Sequence, residues 1–205
     1  DLYLEEGSYT LGTSFSDDAV EINDVTFPDP TFRSYVSENF DTDKSGGLSE
    51  TEIYSATNVF IAGTLDNRGS ISSLAGIEYL TNLQYLYCNC NQISSLDLSQ
   101  NTALTYMDCS FNKLTVLDLS ENTALTSINC DNNQLASLDI SRSTALTVLN
   151  CSENKLTALD VSRNTALTSL YCYNNQLSSL ALSNNTALTS INCSNNQLSS
   201  LDISN

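Results

Sequence analysis

The chain has 205 residues, with 24 acidic and 7 basic side chains, a net charge of −17, seven cysteines and no histidine. Such a field repels phosphate backbones and anionic membrane surfaces, which speaks against nucleic-acid binding and unassisted membrane docking. No apolar run approaches the roughly 18 residues a membrane span needs, and with no histidine and no phosphate-cradling glycine loop the sequence reads as a non-enzyme.

Residues 1–26 are acidic, with short apolar alternations such as Leu2, Leu4 and Val20, Ile22. A loosely held strand or a linker is the reading this supports. No charged-then-apolar leader precedes Asp1, and a start at Asp rather than Met leads us to expect a processed or trimmed fragment.

Helix signals follow in a segment spanning residues 27–58. Asp29 is a good N-cap with Pro30 at the first helical position, and Phe32, Tyr35, Val36 and Phe40 recur at helical spacing. Ser49 and Glu52 then form a capping box, predicting a second helix that buries Ile53, Ala56 and Phe60. Between the two lies Asp41–Glu52, D-T-D-K-S-G-G-L-S-E-T-E. It fits a twelve-residue calcium loop: Asp41, Asp43 and Ser45 at positions 1, 3 and 5, Gly46 at the turn, the Gly47 carbonyl at 7, Ser49 at 9 and Glu52 at 12. Calcium favours hard oxygens at varied angles, so a structural Ca2+ locking this segment is expected. A sensor role is not, because no second such loop pairs with it.

From residue 59 to 205 the chain repeats. Cys88, Cys109, Cys130, Cys151, Cys172 and Cys193 recur every 21 residues, each followed three positions later by asparagine. In register the units read L-T-Y-M-D-C-S-F-N-K-L from Leu104 and L-T-S-I-N-C-D-N-N-Q-L from Leu125. This is the leucine-rich repeat pattern with cysteine at its third apolar position. The predicted fold is therefore an α/β-type solenoid dominated by β. Short parallel strands line the concave face, the convex side is extended or 3₁₀, and a small helical cap covers the N-terminal end. An irregular unit from Ile71 to Leu83 leads into the regular array.

Each recurring column carries its own expectation. The six cysteines face inward with parallel Cα–Cβ vectors on strands about 4.8 Å apart, a poor geometry for disulfides, and read as small buried hydrophobes. Cys90 leaves that column and is expected to be partly exposed. Asn91, Asn112, Asn133, Asn154, Asn175 and Asn196 read as a ladder that satisfies buried backbone groups. Asp97, Asp118, Asp139, Asp160 and Asp202 lie on the return side, where capping of the following turn explains them better than a cation ladder.

Ligand recognition falls to the outward concave columns. They hold Tyr85, Tyr87, Tyr106, Asp108, Phe111, Asn129, Asp131, Asn150, Glu153, Tyr171 and Tyr173. Aromatic rings beside amides and carboxylates suit protein interfaces and glycan sites, since rings give rigid contact area at low entropy cost.

A calcium-loop cap running directly into 21-residue repeats resembles the internalin-like surface proteins of bacteria, over roughly Phe27 to Asn205. The resemblance implies secretion, display on the bacterial cell surface and recognition of a protein partner through the concave face. Two departures from that family are expected: no immunoglobulin-like module sealing the last repeat, and Cys where Leu or Ile is usual. A glycan ligand, a spacer role and end-to-end self-association through the uncapped final repeat are the alternatives.

Overall fold

In the computed structural model the described residues are 19–66 and 68–201; the expectations for Leu2, Leu4, Asp202 and Ile203 lie outside them. The described residues open with β1 (Val20–Glu21), α1 (Pro30–Asn39), β2 (Gly47–Leu48) and α2 (Glu50–Ser55). Seven strands follow among the described residues: β3 (Asn58–Phe60), β4 (Tyr85–Tyr87), β5 (Tyr106–Asp108), β6 (Ser127–Asn129), β7 (Val148–Asn150), β8 (Ser169–Tyr171) and β9 (Ser190–Asn192). They form one parallel sheet in sequence order, each strand in register with the next.

The cap helices form where their local chemistry dictates. The Asp29 side chain accepts hydrogen bonds from the Thr31 and Phe32 amides, and Pro30 supplies a fixed φ at the first turn. Ser49 and Glu52 make the reciprocal capping box of α2. Phe27, Phe32, Val36 and Leu48 are fully buried and join the core that continues down the solenoid.

Each of the seven parallel strands is three residues long, and its central side chain points inward. Val59, Leu86, Met107, Ile128, Leu149 and Leu170 have no exposure, whereas Ile191 in β9 is 38% exposed because nothing described stacks beyond it. The return segments carry no strand or helix apart from isolated turns, consistent with the extended or 3₁₀ convex side expected, and a single 3₁₀ turn occurs at Ile77–Tyr79 in the irregular unit.

Asparagines join the coils. Asn112 Nδ2 donates to the carbonyls of Cys88, Cys109 and Ser110, and its Oδ1 accepts the Ile93 amide. The same set recurs at Asn133, Asn154, Asn175 and Asn196, so the expected ladder is present. A second ladder was missed. Asn101, Asn122, Asn164 and Asn185 bond carbonyls of the preceding coil on the return side, with Ser143 interrupting the series. The signal was there, an asparagine at the same 21-residue interval.

Three sequence expectations fail. Cys193, expected to be buried with the rest of its column, is partly exposed in the last described coil. Cys90 is 4% exposed, not half out, because the 27-residue spacing from β3 to β4 leaves a segment that folds over it. Gly69 donates its amide to the Cys90 carbonyl, and a Cβ on Gly63 would lie 2.2 Å from that oxygen. Phe60 is not buried by a second helix: α2 stops at Ser55, and Phe60 is an outward residue of β3, 58% exposed.

Candidate functional site

The concave surface is set by strand register. Phe60, Tyr87, Asp108, Asn129, Asn150, Tyr171 and Asn192 form one outward row, and Asn58, Tyr85, Tyr106, Ser127, Val148, Ser169 and Ser190 form the other. At the cap end the two rows interleave their rings. Phe60 stacks on Tyr87 at 5.0 Å, Tyr87 on Tyr106 at 4.7 Å, and Tyr106 faces Tyr85 at 6.5 Å. Tyr85, Tyr87 and Tyr106, which the sequence puts on the outward columns, meet here, and Phe60, which it put in a helix, extends the stack. Burial, Asp108 and Tyr87 together push the Tyr106 hydroxyl up to about 12, so it stays a neutral donor.

Beyond the rings the surface turns polar. Asn129 Nδ2 donates to Asp108 Oδ2 at 3.1 Å, and the Tyr171 hydroxyl shares a hydrogen bond with Ser190 Oγ at 3.1 Å. Asp131 and Tyr173 occupy the position after the inward cysteine. Phe111 and Glu153 occupy the next position, where Cys90, Phe111, Asn132, Glu153, Asn174 and Asn195 all have φ between 50° and 57°. Only asparagine adopts this left-handed conformation at modest cost, so the turn is imposed on Phe111 and Glu153 by the ladder bonds around them. Asn150 keeps its place in the first row, its Oδ1 accepting the Ser152 amide.

The cap loop gathers its acids as the sequence predicts. Carboxylate oxygens of Asp41, Asp43 and Glu52 lie within 4.8 Å of one another, with Asp41 and Glu52 buried. Gly46 turns the loop at φ 88°, and its amide bonds Asp41 Oδ2 at 3.1 Å, while the Ser45 amide bonds both Asp41 and Asp43. Glu52 Oε1 accepts from Thr42 and Oε2 from Ser49. Burial opposes its charge, but the bonds from Ser49 and Thr42 outweigh burial and pull Glu52 down to about 2. Ser45 Oγ, the Gly47 carbonyl and Ser49 stand in the same loop. Lys44 points away, its ammonium on the Ser37 carbonyl. Hard oxygens converging with no counter-charge among them fit a calcium ion. The strand edge of Gly47–Leu48 is covered from within the chain by Val20 and Glu21.

The return-side acids behave as local caps: Asp97, Asp118, Asp139 and Asp160 each accept the amide two residues on, from Ser99, Ser120, Ser141 and Ser162. Those bonds, backbone and side-chain, hold their carboxyls below the usual range. All seven cysteines are free; Cys193 alone is partly exposed. Burial drives the Cys130 and Cys172 thiols up to about 12, so the buried thiols of the column are chemically inert.

No protein-family model matches the chain. Internalin J of Listeria monocytogenes serotype 4b (strain F2365) is 43% identical over 76 residues, 37% of this chain and 8% of that protein. The solved functional domain of InlJ, described as including a cysteine ladder, is 34% identical with a TM-score of 0.60, covering 91% of this chain and 50% of that one. The internalin InlF of the same species is 27% identical with a TM-score of 0.64, covering 96% of this chain and 67% of its own. The chain thus spans a small part of internalin J and half of its solved domain. Among the described residues no helix is long and apolar enough to cross a membrane. The chain is a leucine-rich repeat protein, similar in sequence and in coil geometry to the internalins of Listeria.

Proposed function

We propose that the chain is a non-enzymatic module, secreted or displayed on a bacterial surface, that binds a protein partner through its concave face. The observation that carries this reading is the ring stack Phe60–Tyr87–Tyr106–Tyr85, which leads into an amide and carboxylate row ending at Tyr171. A spacer gains nothing from partly exposed tyrosines gathered on one face, whereas interfaces concentrate binding energy in such rings. Tyr106 at the end of the stack and Tyr171 lie three strand spacings of about 4.8 Å apart, a span suited to an extended partner rather than a small metabolite. Oxidative footprinting with a partner recovered from surface extract tests the placement. Protection of Tyr85, Tyr87 and Tyr106 supports it; protection confined to the return side refutes it. An extended glycan giving the same protection would keep the face and change the partner class.

The second part of the proposal is a structural calcium in the cap, held by Asp41, Asp43, Ser45, Gly47, Ser49 and Glu52. The converging carboxylates, those of Asp41 and Glu52 buried, support it. Its role is to neutralise the loop and fix α1 against α2, with no part in signalling.

A further inference from the structure

The concave face also carries an acidic group that no packing rule requires. The position after the inward cysteine is Asn89, Ser110, Ser152, Tyr173 and Ser194 in five of the six units, but Asp131 in the unit of Cys130. Ser110 and Ser194 there bond Asp108 at 2.6 Å and Asn192 at 2.8 Å, while Ser152 leaves a neutral hydroxyl unpaired. Asp131 is only 7% exposed, yet its Oδ1 has no hydrogen-bond partner. A buried carboxylate oxygen left unpaired is costly to keep.

Its surroundings deepen that cost. Burial, then Glu153, then Asp108 push Asp131 up to about 6, the Asn132 amide offsetting only part. The Glu153 amide donates to the Tyr173 carbonyl, which sets Tyr173 on the coil next to Glu153, and burial, Asp131 and Glu153 raise its hydroxyl. Asn129 ties Asp108 to this group by donating to its Oδ2 and accepting the Asp131 amide, and Asn174 donates to Glu153. No base answers these charges. Among the described residues the one ion pair, Arg142 with Glu121, sits on the exposed return side.

Resting on the concave-face reading, we propose that Asp131, Asp108 and Glu153 form a subsite for a cationic side chain of the partner, an arginine guanidinium above all. A metal ion suits the trio poorly. Calcium needs its oxygens about 2.4 Å away, and among the described residues only Asp41, Asp43 and Glu52 bring three acidic ligands within 4.8 Å. A guanidinium spreads five N–H donors over a plane and can reach carboxylates that are further apart. Tyr173 offers it a ring face, and the surface already accepts one such group, since Arg68 lies 5.8 Å over the Phe111 ring. The partner segment is therefore basic where it crosses β5, β6 and β7.

The test uses the whole chain with the peptide Ac-Arg-Gly-Arg-amide as probe and its citrulline counterpart as uncharged control. Carboxyl-carbon NMR follows Asp131. The expected result is at least tenfold tighter binding of the arginine peptide, with the Asp131 midpoint falling by about one pH unit as the cation stabilises the charged form. Asp131→Asn and Glu153→Gln should each weaken binding at least tenfold, while the return-side variant Asp118→Asn changes it less than twofold. The Glu153 variant keeps the test sharp if the Asp131 variant repacks. Equal losses in all three variants, or equal binding of both peptides, would reduce the effect to diffuse attraction by net charge and overturn the proposal. Calcium shifting Asp131 as strongly as the peptide would replace the guanidinium by a metal and overturn it too. The probe is small, so its failure leaves the tyrosine footprint of the larger partner intact.

Discussion

Asp29 and Ser72, 43 residues apart, share one carboxylate: Asp29 Oδ2 accepts the Ser72 amide at 2.8 Å while Oδ1 caps helix α1. The cap is thereby fastened to the irregular unit that starts the array. Asp29→Ala should cost about 2–3 kcal/mol in denaturant unfolding, about 1 for the helix cap and the rest for the stranded Ser72 and Ser73 amides. Burial opposes the charge, but bonds from Ser72 and Phe32 hold the folded carboxyl below its ordinary value. This stabilisation is present above the unfolded pKa near 4 and disappears as pH falls through the depressed folded value. An Asp29→Ala chain with unchanged midpoint would mean that the bridge contributes nothing.

Calcium should stabilise the cap. Extracellular sites of this loop type bind at about 10⁻⁴ to 10⁻³ M, so 10 mM calcium should add about 1–3 kcal/mol and raise the melting temperature. Asp41→Asn should abolish that gain, and Asp118→Asn should leave it. Glu52 gives a pH signature: its folded value near 2 lies below the unfolded value near 4, so its contribution is lost between those limits on acidification. Coincident melts in calcium and in chelator would rule the metal out.

Thiol labelling should single out Cys193. It alone is partly exposed, while Cys88, Cys90, Cys109, Cys130, Cys151 and Cys172 are buried. One thiol should react rapidly in the folded chain and six only after unfolding. Rapid reaction at three or more sites would show that the cysteine column faces outward.

These residues also mark what the sequence could convey. The cysteine column was legible because identical coils give identical environments, so one inward assignment held at Cys88, Cys109, Cys130, Cys151 and Cys172 alike. The caps at Asp29 and Ser49 were legible because their chemistry spans three residues. Cys90 was not, since its cover comes from the Gly63–Gly69 segment, whose path no periodicity encodes. The left-handed turn at Phe111 and Glu153 was hidden for the same reason: neighbouring coils impose it against residue preference. Register put Asp131 on the concave side, but only packing between coils set its depth.

Asp131 makes a further prediction about stability. Its folded pKa of about 6 exceeds the unfolded value near 4, so the folded state gains from protonation at low pH and loses that gain as pH rises from about 4 through 6. Asp131→Asn should therefore stabilise the chain at pH 7 by about 1–2 kcal/mol and have little effect at pH 4. Thermal melts at both pH values check this, and a destabilised variant at pH 7 would refute it.

The central claim, that recognition lies on the concave ring stack, is tested most directly by the affinity of Tyr87→Ala for the recovered partner. Tyr87 contacts both Phe60 and Tyr106 in the stack. The expected loss is about 2 kcal/mol or more, roughly thirtyfold, with Tyr171→Ala also weakened and the return-side variant Asp118→Ala binding like the parent chain. Unchanged affinity in Tyr87→Ala and Tyr171→Ala, with the fold intact by melting, would contradict the account and move the site off this face.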